Sequence, residues 1–529
     1  MRTFNKLFTI VACGLLATAC YEDKGNYDYS EIETIEITMP QNLAVMSRAE
    51  NIVFEPKVVS SIAGELKADN ANYEYGCKIN YRHTNEENKT ELWVDIDPDK
   101  TKEVNYFADF SAGNYALWYW VTNKETGVTT SAKGSVNVIS TTSEGWMVLS
   151  NVGADKKARL DVVSRDSKGN PIVAYGVLGD KCPDIREATQ IVMNPSMYYG
   201  AEAIFLLSKS GGYRLNVSSL ACVEDNNMKL TDFILSSTPG EPIAFTIINA
   251  SGYYGPTSRM CVTDLGNAYA IRSGTSGASF ETPLNTDKGG NDATYQVAPA
   301  AGTSLERPGN SSCALLYDVT NKRFVGWNYY ASDNNVLFSL TDPEDATKKF
   351  SYTTGMTFVD MVSTRFSGGL VYTILEDDSK QRQVYGVNLS GSRFTQEALY
   401  SGITSEHFND AVDYAFHSQY PFMFYCYDNK VYSYNLGTNT LNEVLTLPAG
   451  EKVTMLKFNL FVNMRLEWLA DHSDEFLAKQ FDLIVGSTTG EDDGGHVRFY
   501  TIDTAGKMSL KEEYSGFGNV VDVTYREVR

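Results

Sequence analysis

The stretch 411-AVDYAFHSQYPFMFYCYDNKVYSYNLGTNTLNEVLTL-447 decides the fold. It holds four apolar runs, at 412–417, 422–427, 430–436 and 441–447, parted by a Tyr-Pro, an Asp-Asn and a Gly-Thr-Asn break. Runs this short, rich in aromatic and β-branched residues and bounded by turn formers, are strands joined by tight turns. The stretch is one four-stranded antiparallel unit.

The unit repeats, at periods of roughly 40 to 70 residues. Downstream come KVTMLKFN (452–459), FDLIVGSTTG (481–490), VRFYTIDTAG (497–506) and MSLKEEY (508–514). Upstream come MTFVDMVS (356–363), GLVYTILED (369–377), RQVYGVNLSG (382–391) and FTQEALYS (394–401), and weaker copies begin near Ile191, Ile243 and Tyr295. The two ends of the array are incomplete in complementary ways. GNVVDVTYREV (518–528) reads as a first strand with nothing after it. EGWMVLSNV (144–152), ARLDVVS (158–164) and IVAYGVL (172–178) read as second, third and fourth strands with no first. Joining the ends into a ring fills both gaps and leaves no sheet edge exposed. The expectation is a β-propeller over 142–529, of seven blades (six or eight if the weaker copies divide differently), closed by the C-terminal strand. A chain of further sandwiches would leave that strand unexplained.

Ahead of the array, residues 33–141 hold seven short alternating segments: IETIEITMP, NIVFEPKVV, YEYGCKINYR, TELWVDI, KEVNYFAD, NYALWYWVTN and AKGSVNVIS. That density of strands predicts a β-sandwich of immunoglobulin type. Alternation places Trp118 and Trp120 on one face, expected to be the buried one. The whole chain is thus expected to be all-β, and 33 Tyr and 41 Gly against 15 Pro agree with a strand- and turn-rich chain.

The N-terminus is an address. Arg2 and Lys6 precede an apolar run from Leu7 to Ala19 that is too short to span a bilayer, and small residues lead to Cys20. This is a secretory leader over 1–19. Its ending resembles a bacterial lipobox, with Ala17 where most carry Leu, and the resemblance implies that Cys20 is lipidated. Residues 20–32 (CYEDKGNYDYSEI) read as a polar tether. No later apolar run approaches a membrane span. The formal charge of −21 disfavours nucleic acid and anionic headgroups as partners.

Candidate chemistry is sparse. The histidines at 83, 407, 417, 472 and 496 form no spaced metal motif, and no nucleophile signature occurs, so no metal, cofactor or catalytic residue is assigned. DIDPDK (95–100) has Lys where a calcium loop needs Gly and reads as a solvated turn. GEDDGGH (490–496) is a second acidic loop. Of the six cysteines after Cys20, Cys261, Cys313 and Cys426 sit in strand-like runs as small buried hydrophobes, while Cys182 and Cys222 lie in looser segments where they could pair. The informative feature is aromatic. Tyr198 and Tyr199, and Tyr253 and Tyr254, fall in first-to-second strand connections, and Trp327, Tyr329 and Tyr330 in a third-to-fourth one. Tyr420, and Trp468 in the long insertion LFVNMRLEWLADHSDEF, fall in first-to-second connections as well. Strands alternate direction, so all these connections emerge on one face. Flat rings with polar tips suit an oligosaccharide or a peptide, and they equally suit packing within the protein.

The order of lipobox, YEDKGNYDY, sandwich and an array opening with EGWMVLS resembles the PKD-like lipoproteins of Bacteroidetes. The hairpin GNYALWYWVTNKETGVTTSAKGSVNVI is similar to the closing hairpin of PKD-like domains. Glu22 and Asp23 resemble the acidic signal that sends such lipoproteins to the outer face of the outer membrane. The resemblance implies a lipid-anchored surface protein that works beside a TonB-dependent transporter and its SusD-like lipoprotein in nutrient capture. It supplies no substrate and no catalytic residue. The expected role is a non-catalytic binding subunit for an oligosaccharide or peptide. A propeller hydrolase or lyase, and a purely structural subunit, are the alternatives.

Overall fold

The computed structural model describes residues 32–527 except 48, 85–89, 195–202, 218, 223–228, 250–257, 272–279, 287–291, 305–312, 330, 332, 334 and 463–465. The leader and Cys20 lie outside the described residues. The chain is all-β. It divides into two compact units, residues 1–44 with 49–137, and 45–48 with 138–529.

In the first unit, Thr129–Ile139, Gly113–Asn123, Tyr73–Ile79 and Val94–Asp95 lie in that order in one sheet. NIVFEPKVV, expected as one strand, is two. Asn51–Phe54 pairs with Val104–Phe107, and Lys57–Ser60 pairs with Ile35–Thr38. Pro56 lies at the break, where its missing N–H cannot continue a ladder. The buried face of Gly113–Asn123 is also corrected. Leu117, Tyr119 and Val121 are fully buried opposite Ile79, Cys77 and Tyr75. Trp118, on the other face, is 41% exposed. The alternation was legible, but which phase faces inward depended on the partner strand, whose apolar set is Tyr75, Cys77 and Ile79. Trp120 rests over Gly76, where any side chain would occupy its ring's place.

The second unit contains, among the described residues, seven antiparallel sheets in succession. The first joins Gly145–Val152, Lys157–Arg165 and Pro171–Ala174 to the C-terminal strand Asn519–Arg526. The second and third begin with Ala188–Asn194 and Pro242–Asn249 and have three strands each. The fourth to seventh have four strands each and begin with Gly302–Thr303, Thr357–Ser363, Asp413–Phe416 and Lys452–Phe458. The stretch that opened the sequence reading forms Asp413–Phe416, Phe422–Tyr427, Lys430–Asn435 and Thr440–Thr446, each within a residue or so of its expected place.

Every sheet is packed on both faces, which is why its middle strands are continuously apolar instead of alternating. In Leu370–Glu376, Tyr372 and Ile374 face the sixth sheet while Val371 and Leu375 face the fourth. Seven apolar clusters result, one for each consecutive pair of sheets, including the seventh with the first. In that last cluster Trp146 lies 4.7 Å from the Phe499 ring and 4.9 Å from Tyr525, centroid to centroid. Burying one such side chain contributes about 2–3 kcal/mol. The cluster between the first and second sheets takes in both Cys182 and Cys222, whose thiols hydrogen-bond to each other.

The leading strands pack one against the next, from Ala188–Asn194 through Lys452–Phe458 to Asn519–Arg526, which packs back on Ala188–Asn194. They surround the channel described next.

Candidate functional site

The leading strands line a cavity of about 520 Å³. Its wall includes Gln190, Thr246, Thr303, Asp360, Asp413, Lys457 and Asp522. Polar groups reach it because several of these strands carry a bulge, at Ala188/Gln190, Phe358/Asp360 and Val453/Met455, and a bulge re-aims the side chain beside it.

Most of these groups stitch neighbouring strands together. Gln190 accepts from Phe245 N at 3.1 Å and donates to Phe245 O at 3.2 Å. Ser363 Oγ accepts from Thr303 N at 2.9 Å. Asp413 Oδ2 accepts from Leu456 N at 2.7 Å, and Thr454 Oγ1 donates to Val520 O at 2.7 Å. Asp522 Oδ2 accepts from Ile191 N at 2.9 Å, and its Oδ1 takes Lys457 Nζ at 2.7 Å.

Burial pushes the Asp360 carboxyl up to about 6, although it accepts from Met361 N. Burial, and then the neighbouring Asp360, push Asp413 up to about 8. Both groups are half-buried by exposed area, because the channel leaves one side of each open while protein walls in the rest. At neutral pH Asp413 holds its proton. A carboxylic acid beside a carboxylate is the pairing that general acid–base chemistry uses.

One end of the channel carries the insertion between Lys452–Phe458 and Leu483–Thr488, with helical turns at Leu466–Asp471 and Asp474–Leu477. Ser473 caps the second turn, its Oγ accepting from Phe476 N at 3.1 Å. Phe476 stacks on Phe461 with ring planes 9° apart and meets the Tyr525 ring edge-on. Arg365 donates to Gln480 Oε1 and Phe461 O, and His472 Nε2 lies 3.1 Å from Glu144 Oε1. These contacts fasten the insertion to the fifth and first sheets.

The aromatic candidates divide as follows. Trp327 is fully buried, and it stands in the strand Arg323–Asn328 rather than in a loop. Its ring fills the core between the third and fourth sheets and takes no part in a surface. The apolar run LFSL and the third sheet compete for that ring, a contact invisible in the local stretch WNYYAS. Tyr329 follows in the loop, half-buried, with its ring edge-on to Trp327 at 6.4 Å. Tyr420 is half-buried and stacks on His417 at 4.8 Å. Burial lowers the His417 imidazole to about 4, so it is neutral, and its Nδ1 accepts from the backbone N–H groups of Gln419 and Tyr420. Tyr198, Tyr199, Tyr253, Tyr254 and Tyr330 lie outside the described residues, as does the side chain of Trp468.

Two acidic segments are structural. Asp97 of DIDPDK is buried rather than solvated, and Thr101 N donates to it at 3.1 Å. In GEDDGGH, Asp492 accepts from Gly153 N at 3.0 Å and Asp493 pairs with Arg159 at 2.7 Å, tying the seventh sheet to the first. Sequence reading missed Asp360, Asp413 and Asp522. Their one signal was an acid at the middle of an otherwise apolar leading strand (FVDMV, AVDYA, VVDVT).

None of the curated proteins matches the chain. Among solved structures it is similar to a quinoprotein alcohol dehydrogenase-like protein of Bacteroides thetaiotaomicron, with 11% identity over 92% of this chain and 98% of that one and a TM-score of 0.40. It is similar to the extracellular domain of a one-component system from B. thetaiotaomicron, with 9% identity over 93% and 87% and a TM-score of 0.32. A third is the WD40 domain of SCAP from fission yeast, with 11% identity over 70% and 75% and a TM-score of 0.24. Residues 20–178 match the model of the PKD-like family, a span that takes in the first unit and the opening strands of the second.

Proposed function

We propose that the seven sheets are the blades of a seven-bladed propeller, closed by Asn519–Arg526, and that the protein is a non-catalytic binding subunit held at the outer membrane by a lipid on Cys20. It faces the cell exterior, where it serves a TonB-dependent transporter and its SusD-like lipoprotein. Its ligand is an oligosaccharide or a peptide, met by the first-to-second strand connections.

One observation supports this most. The second-to-third connections run from two residues (209–210, 428–429) to six (489–494), whereas the first-to-second connections run from five (417–421) through 195–202, 250–257 and 304–312 to 459–482. Long connections raised at one end of a rigid scaffold are where binding functions are carried. The channel's polar groups, in contrast, are mostly engaged in holding strands together.

Detergent extraction of the native protein from its own cells, followed by mass spectrometry of what co-purifies, tests the reading. Recovery of the transporter with its SusD-like lipoprotein is expected. Recovery of this protein alone overturns the uptake role. Replacing Tyr253 and Tyr254 with Ala is expected to weaken ligand or partner binding at least about tenfold, and unchanged affinity removes the aromatic connections from the site.

A second reading, hydrolysis of a glycan or peptide, is favoured by the raised carboxyls of Asp360 and Asp413. Turnover that disappears in Asp413→Asn, with the fold intact, would establish it.

A further inference from the structure

Two arginines share one gap between the second and third sheets. Arg214 ends the strand Gly211–Arg214, and Arg259 is the second residue of Ser258–Thr263. Alternation fixes their directions. Tyr213 packs into the cluster between the first and second sheets, so Arg214 faces the third. Met260 packs toward the fourth sheet and Cys261 toward the second, so Arg259 faces the second as Cys261 does. Arg214 lies opposite Phe205 and Arg259 opposite Ile247. Both guanidinium groups therefore enter the gap beside the cluster holding Phe205 and Phe245. They do so at the end where the first-to-second connections emerge.

Neither arginine has a carboxylate partner among the described residues. Arg259 Nε is buried with no hydrogen-bond partner, and burial together with Arg214 lowers Arg259 to about 10. Four other arginines are each paired with an acid: Arg159 with Asp161, Arg323 with Asp318, Arg382 with Glu376 and Arg498 with Glu451. In a chain with 66 acidic and 45 basic residues, two adjacent cations without an acid among the described residues stand out. A charge that is partly buried, unpaired and beside a like charge is unfavourable in the free protein, and an arriving anion relieves that cost.

We propose that Arg214 and Arg259 form an anion-recognition site that takes the carboxylate of an acidic oligosaccharide, a hexuronate. This rests on the binding-subunit reading above. The guanidinium fork matches a planar carboxylate bidentately. The two guanidinium groups offer N–H donors and no acceptor. A peptide terminus brings further N–H donors, and a free amino acid brings an ammonium group, and both would need acceptors. A hexuronate brings a carboxylate for the guanidinium groups and hydroxyls that can accept from them while donating to water, and it brings no ammonium group.

The test is calorimetric titration of the full-length protein in detergent with three probes: a galacturonate trisaccharide, its methyl ester and an acidic tripeptide. The free acid is expected to bind at least about tenfold more tightly than the ester. Arg214→Gln and Arg259→Gln are each expected to lose that preference. Arg259→Met is expected to melt higher than the parent, which would show that lost binding is not lost folding. Equal binding of acid and ester overturns the anion site while leaving glycan binding standing. Binding of the tripeptide alone, an unaltered preference in both Gln variants, or no binding of any probe also overturns it.

Discussion

The seam between the seventh and first sheets and the seam between the second and third are built from the same materials and finished differently. At the first, Arg159 meets Asp161 and Asp493, Arg165 meets Glu512, and Lys457 meets Asp522. At the second, the Phe205 and Phe245 rings lie 4.5 Å apart, centroid to centroid, yet Arg214 and Arg259 stand together without an acid among the described residues. The closing seam has one structural task, since it brings together residues 334 to 347 positions apart in the chain, and the charges named there are matched. The unmatched charges occur where nothing must be closed and where long connections emerge. Charge left uncompensated inside an otherwise consistent fold marks a place where stability was exchanged for something else.

The closing seam should be the more fragile target. Val523 is fully buried there, paired with Val148. Val523→Asp places an unpaired carboxylate in that core and is expected to cost more than about 4 kcal/mol. Thermal denaturation followed by circular dichroism should show the cooperative transition of the second unit lost or greatly lowered. A transition within a degree or two of the parent would mean that the ring does not depend on its C-terminal strand.

The seam between the first and second sheets offers a covalent counterpart. Cys222 N donates to Leu178 O and Cys182 N to Gly179 O, so one short turn holds both thiols together. The hydrogen bond from Cys222 lowers the Cys182 thiol, while that bond and burial raise Cys222. Two thiols so placed should pass two electrons and two protons to a disulfide-bearing oxidant outside the cytoplasm. The resulting bond is expected to add about 3 kcal/mol. Mass spectrometry after alkylation, and melts with and without reductant, check this. Full alkylation of both residues in protein taken from its native compartment would refute it.

The sheet array was legible because each sheet sits between two others. Strands such as FMFYCY and LIVGST are apolar on both faces, and the half-repeats at 144–178 and 518–528 could be matched without knowing any contact. What could not be read were choices made by residues far apart in sequence. Trp118 faces outward because Tyr119 answers Cys77 and Tyr75 across the sheet. Trp327 is buried by the third sheet, not by its own loop. The arginine pair was invisible for the same reason, because Arg214 and Arg259 lie in different sheets and become neighbours only when those sheets stack. The acids of the channel were half legible, as lone carboxyls inside apolar runs.

The channel allows the contrast to be tested by pH. The fold raises Asp413 to about 8 and Asp360 to about 6, well above an unfolded aspartate near 4. The folded state therefore keeps protons that the unfolded chain releases. The stability this provides is complete below pH ~4 and is lost as pH rises through the two folded values. Between pH 6 and 9 the second unit should lose roughly 3 kcal/mol. Asp413→Asn can still accept from Leu456 N and has no proton to lose, so its stability should change little over that range. A parent stability that is flat from pH 6 to 9 would show that Asp413 is already ionised.

The smallest expected effect is the most diagnostic, because its sign differs between the seams. Arg159→Met leaves Asp161, fully buried, with Gly176 N as its remaining donor, and should cost about 2 kcal/mol. Arg259→Met removes a cation whose Nε has no partner and keeps a side chain of similar length against the same apolar cluster. It should gain about 1 kcal/mol. Urea titration of both variants reads the two signs side by side. If Arg259→Met destabilises the protein as Arg159→Met does, then Arg259 is held by its packing alone, and the two seams differ in chemistry but not in purpose.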